Sequence, residues 1–154
     1  MQLTKSALLV GILQLALATG AYAQSSLDAI KSAGVLKIGT EGTYAPFSYH
    51  DASGKLVGFD VEIGEAIAKK IGVQAEFVEG KWDGLIAGID AKRYDVVINQ
   101  VSVSPERQAK YDFSTPYITS KAVVLVKSDS AIASFADLKG KKAAQSLTSN
   151  FGKL

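Results

Sequence analysis

The stretch Asn99-Gln100-Val101-Ser102-Val103-Ser104-Pro105-Glu106-Arg107 holds the residue types and spacing most capable of chemistry in this chain. Ser104 suits a helix N-cap and Pro105 the first helical position. Arg107 then falls in the first turn, where unpaired backbone N–H groups already make the field positive. A cation there is electrostatically misplaced unless an anion joins it. A carboxylate gripped bidentately by the guanidinium, with the Ser102 hydroxyl and free backbone N–H groups alongside, resolves the conflict. On these residues alone a solvated arginine on a short surface helix stands equally beside that reading.

Other chemistries find little support. The chain has no cysteine, which excludes a thiol nucleophile, a disulfide framework, cysteine-ligated zinc and a lipid-modified cysteine. The glycines from Gly39 to Gly42 lack the spacing of a phosphate loop, and no nucleophile elbow is present. His50, the sole histidine, lies beside a turn and reads as exposed and idle. No metal, cofactor or catalytic residue is expected. Lys5, the apolar run Ala7 to Ala18 and Ala21-Tyr22-Ala23 read as a secretory signal over residues 1–23, cleaved before Gln24. Removing it takes away one lysine and no acid, leaving 16 basic and 15 acidic residues in 131. That balance carries no nucleic-acid footprint.

The elements that must position the motif alternate short apolar strands with amphipathic helices, the pattern of a βαβ sheet. Val35 to Thr40 reads as a strand with Leu36 and Ile38 on one face, and Asp51 to Gly54 as a turn. A helix follows, capped by Asp60, with Ile63, Ala66, Ile67 and Ile71 inward, Glu62 and Glu65 early, Lys69 and Lys70 late, and Gly72 at its end. Val73, Ala75 and Phe77 alternate as a strand, and Trp82, Leu85, Ile86 and Ile89 mark a second helix face. Asp95 to Asn99 is a short strand of the kind covered on both sides. Glu41 and the Asn99–Arg107 junction therefore fall beyond strand carboxyl ends, where open α/β sheets bind ligands. Ala122 to Val126 is strongly β-prone, Phe135 to Leu138 one helical turn, Ala143 to Ser146 a short strand, and Thr148 to Phe151 another strand-to-helix junction.

Four segments together resemble the polar amino-acid branch of the bacterial periplasmic solute-binding proteins of ABC importers, family 3. They are Leu36 to Phe47, Leu56 to Asp60, Asp95 to Arg107 and Tyr111 to Tyr117, with Asp137-Leu138-Lys139-Gly140-Lys141 further on. Lys81-Trp82-Asp83-Gly84 with Val97 to Val101 is most similar to cystine-binding members. The resemblance implies an α/β fold of the periplasmic-binding-protein type, its two lobes closing on one amino acid. Residues 24–118 would belong to the first lobe, and 119–154 would be the hinge and the start of an incomplete second lobe. It implies that Arg107 clamps the α-carboxylate, Ser102 lies near the ligand and the Gln100 carbonyl meets the α-ammonium. Tyr44 and Trp82 would wall the ligand, Glu41 would be a polar pocket residue, and Ser149 and Asn150 would complete the carboxylate site from the second lobe. Thr148 and Asn150 depart from the usual residues there, and the acid expected to pair with the ammonium lies beyond Leu154.

The implied function is periplasmic capture of a polar amino acid, cystine first, by a protein monomeric at full length that hands ligand to an inner-membrane permease. The rival is a cyclohexadienyl or arogenate dehydratase on the same scaffold, with Glu41 as the acid. On the residues themselves, Tyr44 and Trp82 serve equally as core aromatics, and Glu41 equally as a brace for the Gly42-Thr43 turn. As it stands the chain reads as a truncated product, expected to be marginally stable or self-associating.

Overall fold

The computed structural model describes residues 26–142 and 144–153, so the secretory reading of residues 1–23 lies outside the described residues. In chain order the elements are α1 (Ser26–Ala33), β1 (Val35–Thr40), β2 (Thr43–Tyr44), β3 (Ser48–His50), β4 (Leu56–Val57), α2 (Phe59–Ile71), β5 (Gln74–Glu79), α3 (Trp82–Leu85), α4 (Ala87–Asp90), β6 (Val96–Val97) and α5 (Pro105–Gln108). Two 3₁₀ turns follow, Phe135–Leu138 and Asn150–Lys153. No described helix is long and apolar enough to cross a membrane.

The alternation of strand and helix produces the expected parallel sheet, in the order β5-β1-β6. Parallel strands need a crossover, and α2 supplies the first of them. Leu36 and Ile38 on the central strand are 1% and 0% exposed and form the core with Ala68 and Ile98. Burying each such side chain contributes roughly 1.5–3 kcal/mol. Ile30 of α1, an element without an expectation in the sequence, packs against the same cluster.

Helix α2 differs from its expected form at two points. Its buried stripe runs through Val61, Gly64 and Ala68, while Ile67 is 40% exposed and Ala66 also faces outward. The reason is Gly64. A Cβ there would come within 2.8 Å of Ile38 Cδ1 and 3.1 Å of the Phe77 ring, so the helix seats on the sheet at this small residue and turns Ile67 away. Asp60 is not the cap either, because the helix begins at Phe59 with Gly58 as its N-cap. The first amides are paired by backbone instead, Phe59 N to Pro46 O at 3.2 Å and Asp60 N to Phe47 O at 2.9 Å. Gly72 does end the helix, in the left-handed region, its N–H and that of Val73 both donating to the Ala68 carbonyl at 3.0 Å.

A small antiparallel sheet, β2-β3-β4, is inserted between β1 and α2 and has no counterpart in the sequence reading. Strands of two or three residues show no periodicity to detect. The intervening Asp51–Gly54 turn forms as expected, with Asp51 accepting from the Ser53 and Lys55 amides. His50 is partnered rather than idle: Nε2 lies 3.2 Å from Glu79 Oε1, and Nδ1 lies 3.2 Å from the Gly42 carbonyl. The helix expected from Trp82 to Ile89 is interrupted at Ile86 and becomes α3 and α4. Only Val96 and Val97 of the Asp95–Asn99 run enter the ladder, and both are partly exposed.

Residues 122–126 form no strand: Val123 is 83% and Leu125 97% exposed, and among the described residues no strand runs beside them. Propensity without a ladder partner does not make a strand. Residues 144–146 are likewise irregular, and Ala143 lies outside the described residues. The turn at Phe135–Leu138 does form, its start closed by a reciprocal Ser134–Asp137 capping box.

Candidate functional site

The carboxyl edge of the parallel sheet gathers three loops: Glu41 follows β1, Trp82 follows β5, and Asn99 to Ser102 follow β6. Asn99 is the hub of the first group. Its side chain is 1% exposed, and Oδ1 accepts from Thr40 Oγ1 and the Glu41 amide, both at 2.9 Å, and from Ser48 Oγ at 3.2 Å. Asn99 Nδ2 donates to Glu41 Oε2 at 2.8 Å. The strand end thus fixes both the backbone and one carboxylate oxygen of Glu41. Asn99→Ala strands three donors, two of them buried, and is expected to lose about 2 kcal/mol of stability in urea unfolding. A loss within about 0.5 kcal/mol would show that the network carries no weight.

Gln100 holds a left-handed backbone at φ 53, rare for a residue with a Cβ. Its Nε2 donates to Asp60 Oδ1 at 2.6 Å, and the Tyr117 hydroxyl donates to the same oxygen at 3.1 Å. Burial pushes the Asp60 carboxyl up, against the lowering effect of these bonds. Burial and the neighbouring Asp60 charge push the Tyr117 hydroxyl up as well.

Arg107 anchors the third group. Nη1 donates to the Ser102 carbonyl and to Ser102 Oγ, both at 2.9 Å, and Nη2 to the Thr148 carbonyl at 3.3 Å. The guanidinium carbon lies 5.5 Å from the Trp82 ring centroid, within cation–π range. Ser102 Oγ in turn donates to Asn150 Oδ1 at 3.4 Å, and Asp83 Oδ1 takes the Thr148 amide and hydroxyl at 3.2 Å each. Burial lowers the Arg107 pKa, yet a guanidinium stays charged in water-facing sites.

The helix start departs from expectation in one respect. Ser104 does cap α5, but its hydroxyl takes the Arg107 amide at 3.3 Å, so that N–H is not free for a ligand. The cation escapes the positive helix field by folding back onto Ser102 oxygens.

Of the residues named from the sequence, Arg107, Ser102, Trp82 and Asn150 meet in one cluster, Glu41 joins Asn99, and Gln100 joins Asp60. Tyr44 is 44% exposed on the small sheet, its ring 5.1 Å from Phe47. The Ser149 hydroxyl oxygen accepts from the Phe151 amide at 3.2 Å. Sequence reasoning gave no site role to Asn99, Asp83, Asp60 or Tyr117. The polar amide of Asn99 directly after an apolar strand was the available signal, whereas Asp60 looked like an ordinary cap.

Residues 36–152 match the family described as bacterial extracellular solute-binding proteins, family 3. The chain is 54% identical over 127 residues to the L-cystine-binding protein TcyA of Bacillus subtilis, covering 81% of this chain and 47% of that protein. It is 46% identical over 150 residues to TcyJ of Escherichia coli, also an L-cystine-binding protein, covering 93% and 56%. The chain spans about half the length of these curated relatives. The crystal structure of the L-cystine solute receptor of Neisseria gonorrhoeae, unliganded and open, is 55% identical with a TM-score of 0.59, covering 84% of this chain and 55% of that one.

Proposed function

We propose, for a chain that belongs to the bacterial extracellular solute-binding proteins of family 3, a role as the substrate-receiving part of an ABC importer for a polar amino acid, with cystine as the ligand. The observation that carries this is the Arg107 cluster at the sheet's carboxyl edge, where a charged fork, a hydroxyl and an indole face converge. Its acceptors are neutral oxygens. A ligand carboxylate makes charge-assisted bonds roughly twice as strong, and the long contact to Thr148 at 3.3 Å is the one most readily exchanged.

In this reading Arg107 and Ser102 take the α-carboxylate, the Gln100 carbonyl takes the α-ammonium, and Trp82 and Tyr44 wall the ligand. Glu41, held by Asn99, faces a second ammonium, as cystine carries. Ser149 and Asn150 approach the carboxylate from the far side. Residues 24–118 act as the first lobe and 119–154 as the hinge and the beginning of the second. Hinge closure shields the Arg107–carboxylate pair from water, and the lower dielectric strengthens it. No bond is made or broken, and the ligand passes to an inner-membrane permease from a periplasmic, monomeric receptor delivered by its secretory leader.

Calorimetry with L-cystine, arginine and glutamine tests the assignment. Saturable heat with cystine, exceeding that with the other two, is expected. Conversion of prephenate or arogenate to its aromatic product would replace the receptor reading with the dehydratase one, and the absence of heat with every amino acid would remove the receptor reading.

A further inference from the structure

Asp60 is an acid for which the binding chemistry above has no use, placed where a charge is hard to keep. It is 1% exposed, and its two oxygens are treated unequally. Oδ1 accepts from Gln100 Nε2 and from the Tyr117 hydroxyl, whereas Oδ2 is buried with no hydrogen-bond partner. Local structure does not require an acid at this position. Backbone carbonyls already pair the first amides of α2, and Glu62 supplies a first-turn acid on the exposed side. An uncompensated buried carboxylate oxygen is disfavoured in any fold. What the residue provides is connection between two segments that are 17 positions apart in the chain, Gln100 and Tyr117.

We infer that Asp60 is a positioning residue of the amino-acid site, coupling the backbone of Gln100 to Tyr117 at the end of the first lobe, next to the hinge. This rests on the receptor reading of the site. Gln100 sits in a backbone region that disfavours side chains, so its carbonyl keeps that direction only while something holds the residue. The bond of 2.6 Å from its side chain to Asp60 is that hold. Tyr117 is fixed to the same oxygen and by its ring, 6.0 Å from Phe59 at the start of α2. A shift of the 117 segment during closure changes the load on the shared oxygen, and Gln100 feels it. By reciprocity, a ligand ammonium that steadies the Gln100 carbonyl steadies the Tyr117 segment.

Two substitutions test the coupling without removing a ligand contact. Asp60→Asn keeps the shape and one acceptor while weakening it, and Tyr117→Phe deletes only the donating hydroxyl. Three readouts are needed on the full chain: cystine affinity by calorimetry, the thermal midpoint, and hydrogen exchange without ligand over residues 98–102 and 115–121. Each variant is expected to bind cystine at least about fivefold more weakly at a midpoint within a few degrees of the parent. The double variant should bind no more weakly than the worse single one, and exchange in both segments should quicken together in either variant. Unchanged affinity in both single variants, additive losses in the double, or exchange altered in one segment only, overturns the coupling. A lower midpoint with affinity preserved assigns Asp60 a purely structural part. A parent chain that binds no amino acid removes the receptor reading and the site role of Asp60 with it. The exchange measurement still separates that failure from a failure of the Gln100–Tyr117 link.

Discussion

Arg107→Ala is expected to weaken amino-acid binding at least about tenfold, because the loss of a charge-assisted, forked contact is worth roughly 1.5–3 kcal/mol. The effect should appear as a lower affinity in calorimetry with little change in thermal midpoint. The side chain is only partly buried and ties loop ends together without supporting the core. Arg107→Lys is expected to recover only part of the loss. An ammonium carries the charge but cannot address both Ser102 oxygens in one plane and stack on Trp82. Full affinity in the alanine variant would take Arg107 out of the site.

The largest effect on stability is expected from Gly58→Ala, a loss of about 4 kcal/mol combining backbone strain with a clash against fixed atoms. Gly58 sits at φ 128, and a Cβ there would lie 2.3 Å from the Phe47 carbonyl oxygen and 2.8 Å from that of Pro46. Those carbonyls cannot step aside, since they accept the Asp60 and Phe59 amides that start α2. Gly54→Ala is the control. Gly54 also has a positive φ, of 83, but no atom lies within 4 Å of the added carbon, so only strain of about 1–2 kcal/mol is expected. Urea unfolding of the pair measures the difference, and equal losses would mean that the carbonyl contact does not restrain the helix start.

Much of the fold was legible because its signals are local. The apolar β1, the alternation in β5 and the Gly72 stop in α2 each rest on a few neighbouring residues, and all three formed. The parallel pairing followed from strand-helix alternation alone, whereas the strand order β5-β1-β6 came from the structure. Asp60 was misread because its sequence neighbourhood satisfies the rule for a cap, while the groups that claim it, Gln100 and Tyr117, are 40 and 57 residues away. Ile67 was misread for a related reason: helical periodicity defines a stripe but not its rotation, which here is set by the close approach at Gly64. At Ala122 to Val126 the propensity was strong, but a strand is a relation between two segments and a propensity describes one. At the candidate site, the Asn99–Arg107 junction announced itself by a cation in the wrong field. Asn99 beneath Glu41 showed only a polar amide after an apolar strand, and Asp83 beneath Thr148 showed no local anomaly, so the roles of both emerged from the contacts.

Trp82 is the only tryptophan in the chain, and its ring lies against the Arg107 guanidinium with its Nε1 buried and without a partner. A cation beside an indole shifts its excited state, so the emission of this ring is expected to depend on where the Arg107 guanidinium sits. Light absorbed at the red edge of the near-ultraviolet band is taken up by this one ring, so the native fluorescence is a label already installed beside the candidate carboxylate clamp. A solute that draws the guanidinium away from the ring will move that emission, which makes ligand arrival visible in real time on the unmodified chain.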